Sequence, residues 1–410
     1  MTDELIRRIL PQMYSGVELD QRQLVLPPFD PQIRNASDTE RLIALQSIYD
    51  VFVPNQMSRE VYSKLYLALL RSLHKKQTIT TVKQSNENSK IIRQQSYESI
   101  LGGADAFTII GPSGVGKSSA VSRAIRLLMP EPFVLAGDTK IIPALTVQAP
   151  ADASVKGLLF EILRKADEHL ETNYYQNSQR TRASVDMLIG TVSQIALNHI
   201  GLLVVDEVQN VVNSKNGQSI VGFLTQLINN SGVSICMIGT EETAVFFKQA
   251  FMLARRAIGL HYKPMEYTDE FKAFCRVLLQ YLYVQKVGAS EETIIRWLYE
   301  HSQGNASVVV SLLHDSQELA ILAGRDMLDV AALNEAFSIR LEMLHDYIAP
   351  NKKRPTSAKQ KGGKPIPQET ENNVKGADVS QVLMQAKHSG QDAVTELKTA
   401  QITVEEVQVT

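Results

Sequence analysis

The residues best suited to chemistry are Gly111 to Ser118, which read Gly-Pro-Ser-Gly-Val-Gly-Lys-Ser and complete a G-x-x-x-x-G-K-[ST] loop. That spacing binds a polyphosphate. Gly111, Gly114 and Gly116 let the backbone wrap close to phosphate oxygens, while its N–H groups and the N-terminus of a following helix face the negative charge. Lys117 is then expected to reach the β and γ phosphates and Ser118 to place its hydroxyl on Mg²⁺, with Pro112, Ser113, Val115 and Ser119 completing the nucleotide contacts. The elements that must carry such a loop are both present. An apolar run, Ala106 to Ile110, reads as the strand before it, and an amphipathic pattern ending near Met129-Pro130 reads as the helix after it.

A second chemical feature lies downstream, where Leu202-Leu203-Val204-Val205-Asp206-Glu207 sets apolar residues ahead of two carboxylates. A buried strand of this kind delivers its acids at the C-terminal edge of a parallel sheet, where ligands sit. Asp206 is expected to hold the Mg²⁺ shell and Glu207 to orient and polarise the attacking water. An Asp-Glu pair alone is common; the end of a buried strand is what makes this one informative. A further strand, Val233 to Gly239, ends in Thr240. Together these features are similar to the AAA+ class of additional-strand NTPases. Within that class the tip residue, here Thr240, contacts the γ-phosphate or the water, although a threonine there also caps a helix starting at Glu241. Arg255-Arg256 lies where an oligomeric AAA+ ring offers an arginine finger to its neighbour's nucleotide. Two arginines near a helix C-terminus also suit the helix dipole, and the choice between the two residues stays open.

Composition bounds the setting. A chain of 410 residues supports two to three domains and a sizeable core. Its two cysteines, Cys236 and Cys275, each sit in an apolar run and read as buried thiols, in keeping with a reducing cytoplasm. No run approaches the length of a bilayer-spanning helix, so the expected location is cytoplasmic with no membrane contact. The net charge of -2 carries no global nucleic-acid signature, and any DNA contact must come from a local patch.

Taken in order, residues 1–95 read as an N-terminal arm followed by helices. Leu24 to Pro31 is extended and proline-punctuated; helices are expected from Asp38 and over Ser58 to Lys75. Residues 96–266 read as the nucleotide-binding core, with Phe133 to Leu135 or Ala144 to Val147 as its next strand. Helices follow over Ser154 to Leu170 and Ala183 to Ile200, the latter with Val185, Leu188, Ile189, Val192 and Ile195 as a buried stripe. Residues 267–347 form four helical stretches, the size of an AAA+ lid. Many such lids offer a sensor arginine after a Gly-x-x step, but here Gly304-Asn305-Ala306-Ser307 places a serine there. Residues 348–410 read as a flexible tail. Lys352, Lys353, Arg354, Lys359, Lys361 and Lys364 occur in it without an acid, and a modest amphipathic pattern returns from Ser380. The expected fold is therefore α/β: an AAA+ P-loop NTPase with a parallel central sheet, a small helical N-terminal region, a C-terminal helical lid and a disordered tail.

The loop, Leu-Leu-Val-Val-Asp-Glu-Val-Gln-Asn, Met-Ile-Gly-Thr-Glu-Glu and Ala-Arg-Arg-Ala-Ile-Gly-Leu together resemble the TnsC/TniB-type AAA+ ATPase regulators of DNA transposition, related also to MuB-type activators. The resemblance covers roughly residues 35–345. It implies an ATPase using ATP and Mg²⁺ that assembles as homo-oligomeric rings or filaments on double-stranded DNA and marks an integration target. It also implies recruitment of a transposase and a link to a TniQ-type target selector, in some systems RNA-guided. In that family a positively lined channel follows the phosphate backbone, and the matching stretches here offer Lys156, Thr172, Arg180 and Arg182 as DNA-binding candidates, each of which also reads as a solvated surface residue. A protein-only assembly or signalling ATPase is the competing expectation, although such relatives usually carry a membrane span. No further helicase motif accompanies the loop.

Overall fold

Apolar side chains alternate along neighbouring strands, and the alternation divides them between the two faces of one sheet. The protein is described by a computed structural model over residues 3–89, 106–136, 138–152, 154–212, 217–243 and 258–340. These all belong to a compact unit spanning residues 1–352. The basic tail lies outside the described residues, as do Arg255 and Arg256.

Six strands form the sheet: β1 (Ala106–Ile110), β2 (Val134–Ala136), β3 (Thr139–Gln148), β4 (Ile200–Asp206), β5 (Ser234–Gly239) and β6 (Ile258–His261). Their order is β2-β3-β4-β5-β1-β6, parallel throughout except for the β2–β3 hairpin. Strand β5 therefore separates the strand feeding the phosphate loop from the strand ending in Asp206. Both segments considered as the next strand are strands. The longer one absorbs Pro143 because β2 pairs only with residues 139–141, which leaves the β3 edge beside the proline without a ladder to break.

Leu203 and Val205 of β4 with Ile235 and Met237 of β5 face one core, covered by the helices Val155–Leu170, Val185–His199 and Gly217–Ser231. Leu202, Val204, Cys236 and Ile238 face the other, beneath the phosphate-loop helix Lys117–Leu128 and the N-terminal helix Gln56–Ser89. The covering helices are started by local chemistry: Ser154 Oγ accepts from the Gly157 N–H at 2.9 Å and Ser184 Oγ from the Met187 N–H at 3.3 Å. Val185, expected in the buried stripe, is 39% exposed, because it occupies the first turn beside that cap and lies off the stripe that faces the sheet.

The first 40 residues differ from an arm. Helices Asp3–Ile9 and Gly16–Gln23 bury Ile6, Ile9, Leu10 and Leu19 in the same core as the phosphate-loop helix. Residues 29–53 take another course and pack on the lid, where Leu45 and Ile48 are fully buried with Phe271, Leu298 and Leu312. Arg41, 3% exposed, fastens this segment by pairing with Asp38 at 2.6 Å and with Asp326 of the lid. Ser37 and Glu40 form a capping box at the start of Asp38–Leu45. The N-terminal region thus serves both the sheet and the lid rather than the sheet alone.

The lid comprises helices Asp269–Leu278, Glu291–Ser302, Ala306–Leu322 and Val330–Arg340 with a two-stranded parallel bridge, Lys286–Val287 against Met327–Leu328. Cys236 and Cys275 are free and buried, and burial pushes the Cys275 thiol up to about 12 and the Cys236 thiol well above its ordinary value. Among the described residues no helix is long and apolar enough to cross a membrane.

The Gln56–Ser89 helix packs so closely on β4 that a Cβ on Gly201 would lie 2.5 Å from Leu69 Cδ1. Two turns on, Lys76 sinks its amine among the closing carbonyls of another helix, donating to Ala196 O and Ile200 O. Burial pulls its pKa from 10.5 down to about 7. Between these values the unfolded chain binds a proton that the folded chain does not, so this residue makes stability rise with pH across the window and fall as pH drops toward 7. Chemical denaturation of Lys76→Met alongside wild type from pH 7 to 10 is expected to show the difference between the two changing over that window. A constant difference would contradict the shift.

Candidate functional site

At the C-terminal edge of the sheet the phosphate loop turns through left-handed backbone at Gly114, φ 83°, and Gly116, φ 98°. Gly111 is demanded by a close approach instead, since a Cβ there would lie 2.4 Å from the carbonyl oxygen of Tyr262, which follows β6. The carbonyls of residues 111–114 each have a partner. Lys117 Nζ donates to Gly111 O and Pro112 O, both at 2.8 Å. Asn305 Nδ2 donates to Ser113 O at 2.9 Å, and the Ser307 N–H donates to Gly114 O at 3.0 Å. Lys117 is 8% exposed; burial lowers its pKa, opposed by the charges of Asp206, Glu207 and Glu241. An ammonium has three N–H donors, and two of them serve the loop, which leaves one for a ligand.

Ser113, Gly114, Val115, Gly116, Lys117, Ser118 and Ser119 line a cavity of about 410 Å³ together with Asp206, Glu207 and Thr240. The structure therefore brings the loop, the acids and the strand tip to one wall. Asp206 Oδ1 accepts from the Glu207 N–H at 2.8 Å, and Glu207 itself adopts φ 58°, a left-handed conformation that costs a non-glycine residue about 1–2 kcal/mol. The turn is held by the Val208 N–H on Ile238 O at 3.0 Å and by Asn210 Nδ2 on Ala149 O at 3.1 Å. Thr240 lines the cavity, and its Oγ1 is buried with no partner, so its hydroxyl does not cap the helix that begins beside it. Ser118 and Asp206 present oxygen donors to the cavity, the donor type that suits Mg²⁺.

Other lining residues were not singled out by sequence reasoning. Tyr49, Val53, Pro54, Met265, Phe274 and Val310 add apolar lining to the cavity. Gln209 joins the acidic wall: its amide donates to Glu207 Oε2 while its Oε1 is buried without a partner. Sequence held a signal only for Gln209, through its place two residues after Glu207.

Residues 100–245 match the family described as AAA domain. The fold is that of an AAA+ P-loop NTPase. No curated protein matches the chain. Among solved structures, the chain is similar to the Aeropyrum pernix ORC1 protein in complex with DNA at 14% identity and a TM-score of 0.44, covering 60% of this chain and 61% of that one. Drosophila ORC bound to DNA aligns at 13% identity, TM-score 0.47, over 97% of this chain and 86% of that one. Domain III of the Thermotoga maritima replication initiation protein DnaA aligns at 14% identity, TM-score 0.38, over 77% and 98%. The chain thus spans less than two thirds of the length of the archaeal ORC1 chain.

Of the DNA-binding candidates, Lys156 lies in the first turn of the helix Val155–Leu170, and Thr172, Arg180 and Arg182 follow that helix in the chain. Lys156 is exposed, its amine 5.6 Å from the Phe160 ring centroid. Arg180 and Arg182 are exposed at the end of a short helix, Tyr174–Arg180. Thr172 differs: its hydroxyl donates to Asp167 Oδ1 at 2.5 Å, and the same carboxylate accepts from the Tyr174 and Tyr175 N–H groups. That threonine organises a turn.

Gly111→Ala is expected to destabilise the folded AAA+ core by about 1–3 kcal/mol without any ligand present, because the methyl group meets backbone rather than a movable side chain. Urea denaturation checks this, and an unchanged midpoint would contradict the close approach at Tyr262.

Proposed function

We propose that this chain binds and hydrolyses ATP with Mg²⁺ and acts as a DNA-binding, oligomeric AAA+ regulator of transposition of the TnsC/TniB type. The observation that carries the ATPase reading is one cavity in which the phosphate loop, Asp206, Glu207 and the unpartnered Thr240 hydroxyl meet. In this reading the loop N–H groups and Lys117 bind the phosphates, and the apolar lining takes the base. Ser118 and Asp206 would hold Mg²⁺, which when bound neutralises charge on the β and γ phosphates. Glu207 accepts hydrogen bonding from the attacking water, with Thr240 Oγ beside the terminal phosphate. A neighbouring subunit supplies Arg255 or Arg256. Residues 96–266 act as the motor, 267–347 as the lid, and 348–410 as a tether to the transposase or TniQ-type partner.

Support for the DNA part is the surface chemistry of residues 172–185, which contain Arg180 and Arg182, several amides and two tyrosines but no acid. Such a surface can follow a phosphate backbone without reading bases. Lys156 adds a nearby cation in sequence, and Thr172 contributes the turn rather than a contact.

Lys117→Ala is expected to abolish nucleotide binding, whereas Glu207→Gln is expected to keep ATP affinity and lose turnover by roughly 10²–10⁴-fold. Fluorescent-nucleotide titration and phosphate release measure the two effects; normal hydrolysis in both variants would remove the site assignment. For DNA, wild type with a non-hydrolysable ATP analogue is expected to retain plain duplex in a salt-sensitive way. Replacing Arg180 and Arg182 together by Ala should flatten the slope of log affinity against log salt by about 0.9 for each phosphate no longer neutralised. Duplex left unbound under every nucleotide condition favours the protein-only assembly ATPase.

A further inference from the structure

A phosphate loop offers its N–H groups to a ligand only while the carbonyls of the same peptides point away, because a trans peptide holds C=O and N–H on opposite sides. The first two carbonyls of this loop are held internally by Lys117. The next two are held by the lid. Asn305 Nδ2 donates to Ser113 O at 2.9 Å, and the peptide so oriented carries the Gly114 N–H. The Ser307 N–H donates to Gly114 O at 3.0 Å, and that peptide carries the Val115 N–H. Only one orientation of the Asn305 amide suits the site: its Oδ1 accepts from the Ser307 N–H at 3.1 Å while its NH₂ faces the Ser113 carbonyl.

The lid loop is itself held in register. The Met265 N–H donates to Gly304 O at 3.0 Å. Gly304 has φ 77°, and a Cβ there would lie 1.8 Å from Met265 O, so no other residue fits. The contact is tight from the opposite side too, since a Cβ on Gly114 would lie 2.6 Å from Asn305 Oδ1.

We propose that Asn305, with the Ser307 amide, is a positioning group that aims the Gly114 and Val115 N–H donors at the β and γ phosphates of a nucleoside di- or triphosphate. Lid docking and phosphate binding are then one coupled equilibrium. The inference rests on the nucleotide reading above and deepens it. A lid that reaches the outer face of the loop needs no cation at Ser307 to sense the phosphates, since it senses the peptide planes that bind them. Reciprocity follows: whatever the docked lid adds to polyphosphate affinity, bound polyphosphate returns to lid docking.

The test uses the full chain and two variants that retain a helix cap at this position, Asn305→Ser and Asn305→Asp. Both keep an acceptor for the Ser307 N–H. The ionised Asp has no donor, and the Ser hydroxyl, one bond shorter than the amide, falls short of the 2.9 Å contact that Asn305 Nδ2 makes with Ser113 O. Dissociation constants are measured by competition for a non-hydrolysable ATP analogue, ADP and AMP, the last carrying the base and no β or γ phosphate. Asn305→Ser is expected to weaken the ATP analogue and ADP by about 10-fold, the scale of one positioned hydrogen bond, and AMP by less than about twofold. Asn305→Asp is expected to lose more, since its carboxylate also repels the phosphates. Hydrogen exchange at residues 304–310 should be slowed by the ATP analogue in wild type and much less in Asn305→Ser. Equal weakening of all three nucleotides would assign Asn305 a purely structural role, and unchanged affinities would make the lid contact idle; either result overturns the inference while leaving nucleotide binding intact. A wild-type chain that binds no nucleotide overturns the nucleotide reading, and the inference falls with it.

Discussion

The rest of this structure depends on one requirement: a backbone that turns its N–H groups inward must find partners for its carbonyls outside. In the loop following Ile110, those partners come from two places. Lys117 closes on Gly111 and Pro112 from within the loop, and Asn305 with Ser307 closes on Ser113 and Gly114 from the lid. An intramolecular hydrogen bond contributes about 0.5–1.5 kcal/mol net, so with two of them the lid is part of the loop's conformation rather than a cover placed over it.

That requirement explains why the N-terminal region is divided between two cores. Helices Asp3–Ile9, Gly16–Gln23 and Gln56–Ser89 brace the sheet face that carries the loop helix. The intervening residues 29–53 pack on the lid, burying Leu45 and Ile48 in its core, and line the cavity through Tyr49 and Val53. Arg41 pairing with Asp326 and Arg34 Nε donating to Leu282 O at 2.7 Å keep that segment on the lid. These bonds and a shared apolar core keep residues 29–53 with the lid whose Asn305 reaches the loop.

The acidic wall is subject to the same demand for partners, with the opposite outcome. Glu207, Gln209 and Thr240 sit where strands β4 and β5 end, and two of their polar atoms, Gln209 Oε1 and Thr240 Oγ1, are buried with no partner. Both atoms belong to residues that line the cavity just beyond the ends of β4 and β5. The left-handed turn at Glu207 belongs with them, held by its neighbours in a conformation a side chain rarely takes.

Local sequence was enough for whatever depends on spacing. The glycines and lysine of the loop, the apolar run before Asp206-Glu207 and the tip at Thr240 are short-range patterns, and each is where its pattern placed it. What depends on distant partners was not legible. The first helices resembled an arm because their apolar faces are short and gain meaning only against the sheet. Pro143 split one strand into two candidates because nothing in its own neighbourhood reveals that the edge beside it is unpaired. Thr172 looked free until Asp167 was placed beside it. The stretch Gly304 to Ser307 stood out for the arginine it lacks, whereas its contribution is an asparagine amide meeting a carbonyl 192 residues away. Sequence spacing sets which backbone shapes are allowed; only the tertiary structure decides which carbonyl each donor meets, because that partnership is fixed by packing between segments far apart in the chain.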